Sequence, residues 1–395
     1  MLKKYAFIAC FLLAFSAASQ LSAGTISKVE YSGLKRTKTA LMDRFTAQYL
    51  NTDSENVNLE ELKNNIKLCG LFSECEPTFV DNGDGSVTLK LALKEKWTII
   101  PVPIFSFSNS GFIGGAYLAD TNAFGMGNFL MGGGVFGKDV ISVSAIYSGF
   151  GFTTNAFYEK TNTEIHSLEE KKISEYDIQR LGGSLGFGMP VLKNVSANAK
   201  VNLQQLFSDS SNYDSAFQVS FEPSITYKIN DFTDWFISTS YVSVSGEFGY
   251  NTTNDFISGM KIKAVLQKPI IDRLRASIGI CYSAEADKGL LFTQNRNSVA
   301  SHILPEKFRS KKMANADVGL EVGVARGRAI MLSLFGNFQE TIVEDYDGQL
   351  KFMYGPMAGT IIYLRQINIP AFSFGLAYNI PQEQIQIVAS MGMSF

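Results

Sequence analysis

The side chains able to carry chemistry are few and scattered. The chain has two histidines, His166 and His302. Both fall in segments expected to be loops, with no Cys, His or Asp cluster nearby that could hold a metal or relay a proton. There is no Gly-x-Ser-x-Gly elbow for a nucleophile, and no glycine-rich loop leading into a helix that could cradle phosphate. Gly132-Gly133-Gly134 sits in a strand-like run, where glycine marks close packing or curvature. Of the four cysteines, Cys10 belongs to the N-terminal apolar stretch and Cys281 to a strand. Cys69 and Cys75 are close enough to pair across a short loop, and equally well suited to be two small buried side chains. These residues point away from an enzyme and call for neither metal nor cofactor.

Composition narrows the class further. Lys and Arg number 35 against 37 Asp and Glu, for a net charge of −2, too balanced for nucleic acid to be an expected partner. Hydrophobic residues make up 46%, yet beyond the first two dozen positions no apolar run approaches the roughly 18 to 20 residues of a membrane-spanning helix. What stands out is 31 Phe and 16 Tyr together with 34 Gly. That mixture suits strands facing lipid on one side and water on the other.

The elements that must position these residues fall into three parts. Residues 1–23 read as a secretory signal peptide: Lys3 and Lys4, an apolar stretch from Tyr5 to Phe15, then Ser16-Ala17-Ala18-Ser19. Residues 24–96 read as a small α+β domain in βααββ order. Its helices carry Leu41, Phe45 and Tyr49, then Leu59, Leu62 and Ile66, at helical spacing, and Val87, Leu89, Leu91 and Leu93 alternate in its last strand.

From residue 97 to 395 the pattern becomes a succession of roughly ten-residue alternating segments, the mark of a transmembrane antiparallel β-barrel. About sixteen strands are expected, near 98–108, 111–120, 127–137, 140–149, 152–160, 177–189, 195–206, 216–228, 235–247, 255–266, 273–284, 314–325, 328–339, 350–364, 370–379 and 384–395. In the last of these Ile385, Ile387, Ala389, Met391 and Met393 share one face, and Gln384, Gln386, Val388, Ser390 and Gly392 the other. Short connections alternate with longer ones at 161–176, 207–215, 285–313 and 340–349. That parity puts the N-terminal domain and Phe395 on the periplasmic side of an outer membrane.

Two resemblances give this architecture an expected role. The βααββ segment, with Ile26-Ser27-Lys28-Val29-Glu30-Tyr31-Ser32-Gly33, Leu68-Cys69-Gly70-Leu71-Phe72 and Lys94-Glu95-Lys96, resembles a polypeptide-transport-associated (POTRA) domain. The run Lys96-Trp97-Thr98-Ile99-Ile100-Pro101-Val102-Pro103, with Asp120-Thr121-Asn122-Ala123-Phe124-Gly125-Met126-Gly127-Asn128, looks like the start of the barrel in the BamA/TamA family of outer-membrane insertases. The resemblance implies a sixteen-stranded barrel ending in an aromatic signal, here Met391, Met393 and Phe395. It implies an arginine in the sixth external loop that folds into the lumen and meets acidic residues on the next strand. Arg309 in Phe308-Arg309-Ser310 is the preferred match, with Asp317 and Glu321 as its carboxylates; Ser310 and Lys311 depart from the family's motif, and Asn337 replaces an expected Asp. Arg326-Gly327-Arg328 is the rival, although it falls in a short turn.

The family resemblance also implies a lateral seam between the first and last strands, with Gly392 permitting a kink; Pro101 and Pro103 either remove ladder donors there or merely precede the paired stretch. The expected function is assembly, insertion or translocation of proteins at the outer membrane, the client strand adding at that seam. Expected partners are outer-membrane lipid, unfolded barrel or secreted clients, and periplasmic accessory proteins met through the POTRA domain. The alternatives are an outer-membrane channel, and a structural or lipid-handling barrel with no client.

Overall fold

The computed structural model describes residues 24–108, 111–208, 215–253, 255–286, 294–327, 330–364 and 369–391. The signal peptide expected over 1–23, and Gly392, Met393 and Phe395, lie outside them. The chain forms two compact units, one of residues up to Ile99 together with Asp120–Phe129, the other of Ile100–Ala119 and Leu130 onward.

The first unit contains β1 (Thr25–Ser32), α1 (Thr39–Thr46), α2 (Leu59–Leu68), β2 (Phe72–Asp81) and β3 (Ser86–Glu95). The sheet order is β1-β3-β2, with β1 parallel and β2 antiparallel to β3. β3 is central because its alternate residues Val87, Leu89, Leu91 and Leu93 are all apolar and all buried. They pack on Ile26, Leu41, Met42, Leu62, Ile66 and Phe72. Helix α2 starts where the Asn58 side chain accepts from the Glu61 N–H at 3.1 Å, and Glu60 and Glu61 then complement the helix dipole. Cys69 and Cys75 are free thiols, not a disulfide. Cys75 is fully buried in this core and Cys69 packs against it, so both serve as small apolar side chains, and burial pushes both thiol pKa values up.

A polar clamp completes this unit. The Glu95 carboxylate accepts from the backbone N–H groups of Lys35, Arg36 and Thr37 at 2.9 to 3.0 Å. Arg36 in turn forks onto Thr98 Oγ1 at 2.6 Å and Asp120 Oδ2 at 2.7 Å. Asn122 donates to Thr37 Oγ1 at 2.9 Å, and the Lys38 N–H reaches the Gly125 carbonyl at 2.8 Å. Gly125 has φ +73°, and a Cβ there would stand 2.2 Å from the Arg36 carbonyl oxygen, so only glycine fits.

The second unit is a single antiparallel sheet. Its strands are β4 (Ile99–Ser108), β5 (Gly111–Ala123), β6 (Asn128–Gly137), β7 (Val140–Gly149), β8 (Phe152–His166), β9 (Lys172–Leu192), β10 (Val195–Ser208) and β11 (Ala216–Phe232). There follow β12 (Ile237–Asn251), β13 (Asp255–Ile271), β14 (Leu274–Ala286), β15 (Lys312–Arg326), β16 (Ile330–Glu344), β17 (Leu350–Leu364), β18 (Ile369–Asn379) and β19 (Gln384–Met391). Each pairs with its sequence neighbours, and β19 returns to β4. We call the end where the chain enters at Ile99 the root, and the opposite end distal.

Alternation sorts the two faces. On β15, Val318, Leu320, Val322 and Val324 are each 41 to 56% exposed, while Asn315 and Glu321 are buried. On β19, Ile385 is 61% exposed and Gln386 is 1%. An exterior lined this way is an exterior for hydrocarbon, and the polar residues turn inward because a carboxylate in lipid is costly. The expected loop 161–176 is mostly strand, β8 and β9 continuing to a turn at 167–171. The stretch is rich in polar residues, with Ile165 and Tyr176 its buried apolar members, so no clear alternation marks the ladder. Trp235, expected in a strand, lies instead in the turn 233–236, and β12 begins at Ile237.

Candidate functional site

Two regions of the barrel can do work, the interior and the joint between β4 and β19. The interior is filled from the distal end by the connection between β14 and β15, described over 294–311. Val299, Ile303, Leu304 and Phe308 from this loop are completely buried, clustered with Leu168, Met313, Val343, Met353, Met357 and Val388. Hydrogen bonds fix its path along the inner wall. The His302 N–H donates to Gln339 Oε1 at 2.8 Å, and Ser301 Oγ lies 2.7 Å from Thr341 Oγ1, which donates to Asn315 Oδ1 at 2.7 Å. Asn379 donates to the Ile303 carbonyl at 3.1 Å. From the other side the β8–β9 hairpin folds over the loop: Lys307 pairs with Glu164, the His166 N–H donates to the Lys307 carbonyl at 3.1 Å, and Gln386 Nε2 on β19 donates to Glu170 at 3.1 Å. Burial, then the nearby Arg296 cation, press the His302 pKa down to about 4, so the imidazole is held neutral.

Arg309 lies in this loop but does not pin it to the predicted acids. Its guanidinium donates to the carbonyls of Glu306 and Phe308, at 2.8 and 3.0 Å, and its N–H to the Tyr346 hydroxyl at 3.3 Å. It caps its own turn. Asp317 and Glu321 do face inward, as alternation requires, and Asp317 lines a cavity in the lumen beside Lys263. Glu321 is occupied by a different cation. Arg275 of β14 reaches it through Nε at 2.9 Å and Nη2 at 2.6 Å, and the Tyr363 hydroxyl donates to its other oxygen at 2.7 Å, joined by Ser333. Both partners of the ion pair are about nine-tenths buried. The reason is register: Arg275 stands directly opposite Glu321 on the neighbouring strand, whereas Arg309 would have to leave a turn that already satisfies it. A sequence signal existed, since Arg275 and Glu321 are the inward charges at the root ends of consecutive strands. The rival Arg326 sits at a turn, 3.6 Å from Asp234 and stacked over Trp235.

At the joint, β19 pairs with β4 through Val388 with Ser108, Ala389 with Phe107 and Ser390 with Ser106. Among the described residues that is three pairs, against eight between β18 and β19 and fifteen between β16 and β17. Pro101 and Pro103 belong to β4 and lie on the root side of this stretch. Being two residues apart they aim at the same edge, so the two N–H groups they lack are missing from one neighbour's ladder.

Comparison with solved structures fits this geometry. The chain is similar to BamA from Haemophilus ducreyi lacking POTRA domains 1-3, at TM-score 0.64 and 15% identity, covering 94% of this chain and 85% of that one. It is similar also to CdiB from Acinetobacter baumannii, at TM-score 0.60 and 12% identity over 95% and 74% of the two chains. CdiB from Escherichia coli aligns at TM-score 0.58 and 10% identity over 95% and 92%. No family model matches the sequence, and no curated protein does. The fold is the one shared by BamA and CdiB.

Proposed function

We propose that this is an outer-membrane barrel acting in insertion or translocation of proteins, with the βααββ unit serving as a single periplasmic POTRA domain. Client polypeptides, and accessory proteins met through that domain, are its partners, and the seam between β4 and β19 is where a client strand adds. The observation that carries the reading is the seam. Pro101 and Pro103 of β4 withhold two N–H groups from one edge of that strand, each lost hydrogen bond being worth about 1 kcal/mol. An edge opened there would offer a client the unpaired backbone that strand addition needs. A passive channel fits less well, because the lumen is packed with the 294–311 loop.

The test uses Ser106→Cys with Ser390→Cys in a chain whose own cysteines are replaced. Reconstituted in liposomes, the oxidised variant is expected to accelerate insertion of an unfolded outer-membrane barrel no more than lipid alone, with reduction restoring the rate. Equal insertion by the oxidised and reduced forms would refute a working seam.

A further inference from the structure

The outer face of the joint between β4 and β19 carries a side-chain contact that the backbone ladder does not account for. Phe105 on β4 and Phe372 on β18 stand with ring centroids 5.6 Å apart and planes tilted by 44°, within the range where aromatic pairs attract. Their strands are not neighbours, because β19 lies between them. Strands two apart in a sheet are roughly 9 to 10 Å from one another, so the rings meet only by leaning over β19. Among the described residues the other ring contacts on the outer face stay within one strand or join neighbouring ones: Tyr147 with Phe152, Phe152 with Phe187, Phe338 with Tyr354 and Phe352 with Tyr354.

Alternation puts both rings on the lipid side. Phe105 is exposed in the same row of β4 as Pro101 and Pro103. Phe372 shares its row with the exposed Phe374, Leu376 and Tyr378, while Ser373, Ala377 and Asn379 of the opposite row are buried. On β19 the outward row holds Ala389, whose partners in register are Phe374 on β18 and Phe107 on β4. Ala389 is 7% exposed where Ile385 on the same face is 61%, so larger neighbours roof it over. Phe372 pairs with Met391, and Phe105 precedes Ser106, the partner of Ser390. Both rings therefore stand one outward position beyond Ala389.

We propose that Phe105 and Phe372 form a clasp that holds the seam shut from its lipid side. β4 cannot part from the β18–β19 hairpin without separating the two rings, so they set how often the edge offered to a client becomes free. This rests on the seam proposed above and adds the side chains that govern it. They are positioning residues, acting through the strands they join.

The test is amide hydrogen exchange, read by mass spectrometry, on the full chain in detergent micelles with no client present. Phe105→Leu and Phe372→Leu keep apolar bulk but lose the ring pair, which is worth about two- to tenfold in an equilibrium. Each is expected to speed exchange of the β4 and β19 peptides by that factor, with the doubly substituted chain no faster than either single one and the β16 and β17 peptides unchanged. Phe105→Tyr keeps the ring and is expected to exchange like the unaltered chain. Unchanged exchange at β4 and β19 in both Leu variants, additive effects in the double, or acceleration spread equally over all strands overturns the clasp. Exchange needs no client, so it judges the clasp alone. Insertion that proceeds equally with Ser106→Cys and Ser390→Cys crosslinked would remove the seam's role in insertion and leave a clasp that passed the exchange test standing.

Discussion

Removing the Glu321 carboxylate separates the lumen described here from one locked by Arg309. In Glu321→Ala, Arg275 keeps its charge in a site where its side chain is only 11% exposed, and Tyr363 and Ser333 lose their acceptor. Breaking a buried pair in this way costs about 3 to 5 kcal/mol. With a urea slope of about 2 to 3 kcal/mol per molar, the unfolding midpoint should fall by about 1 to 2 M. Arg309→Ala removes only two bonds to carbonyls of its own turn and should cost about 1 to 2 kcal/mol. The assay is urea unfolding of the detergent-solubilised barrel, with a double-mutant cycle for each arginine. Arg275 and Glu321 should be coupled by about 2 kcal/mol or more, while Arg309 and Glu321 should be additive within about 0.5 kcal/mol. Coupling of Glu321 to Arg309 as large as that to Arg275 would refute the assignment.

Further outcomes follow from other contacts. His302 has its pKa lowered from 6.5 to about 4 in the folded loop, so its contribution is full above pH 6.5 and is lost as the pH falls toward 4, up to about 3 kcal/mol. Limited proteolysis of the loop should accelerate across that window, and His302→Asn should flatten the dependence. Glu95→Ala deprives three backbone N–H groups of one carboxylate and should lower the stability of the first unit by about 2 kcal/mol, read by thermal unfolding. Gly125→Ala meets both a positive φ and a 2.2 Å contact with the Arg36 carbonyl, and should cost at least about 1 to 3 kcal/mol in the same measurement. Iodoacetamide should leave Cys75 unmodified in the folded protein and label Cys69, Cys75 and Cys281 after unfolding without reductant, as mass spectrometry would show.

The barrel was legible because its strands separate two solvents. Wherever one face meets hydrocarbon, as on β15 and β19, the period of two is written in the residue types. Where the ladder leaves that boundary the signal fades: β8 and β9 run on through Thr161–His166 and Lys172–Tyr176 with mostly polar residues and no clear alternation, a stretch that reads as loop. Inward direction was readable for Asp317 and Glu321, but partners were not, since a charge inside the barrel can be met from the next strand or from a distant loop. The family's motif suggested the loop and register favoured the strand. Trp235 was misplaced for a related reason. An aromatic beside alternating residues looks lipid-facing, and nothing in its own segment records the recess that Gly323, some ninety positions away, leaves for its buried indole.

The distal loop leans on the last strand. Val388 shares a buried cluster with Val299 and Leu304, and Gln386 reaches the hairpin turn that covers the loop. Peeling β19 away would strip those apolar contacts, so parting of the wall and release of the filling are linked events, each making the other easier by the same free energy. Anything that grips the loop from the distal side should therefore act as a clasp on the flank of the cylinder, stiffening a joint that it never touches.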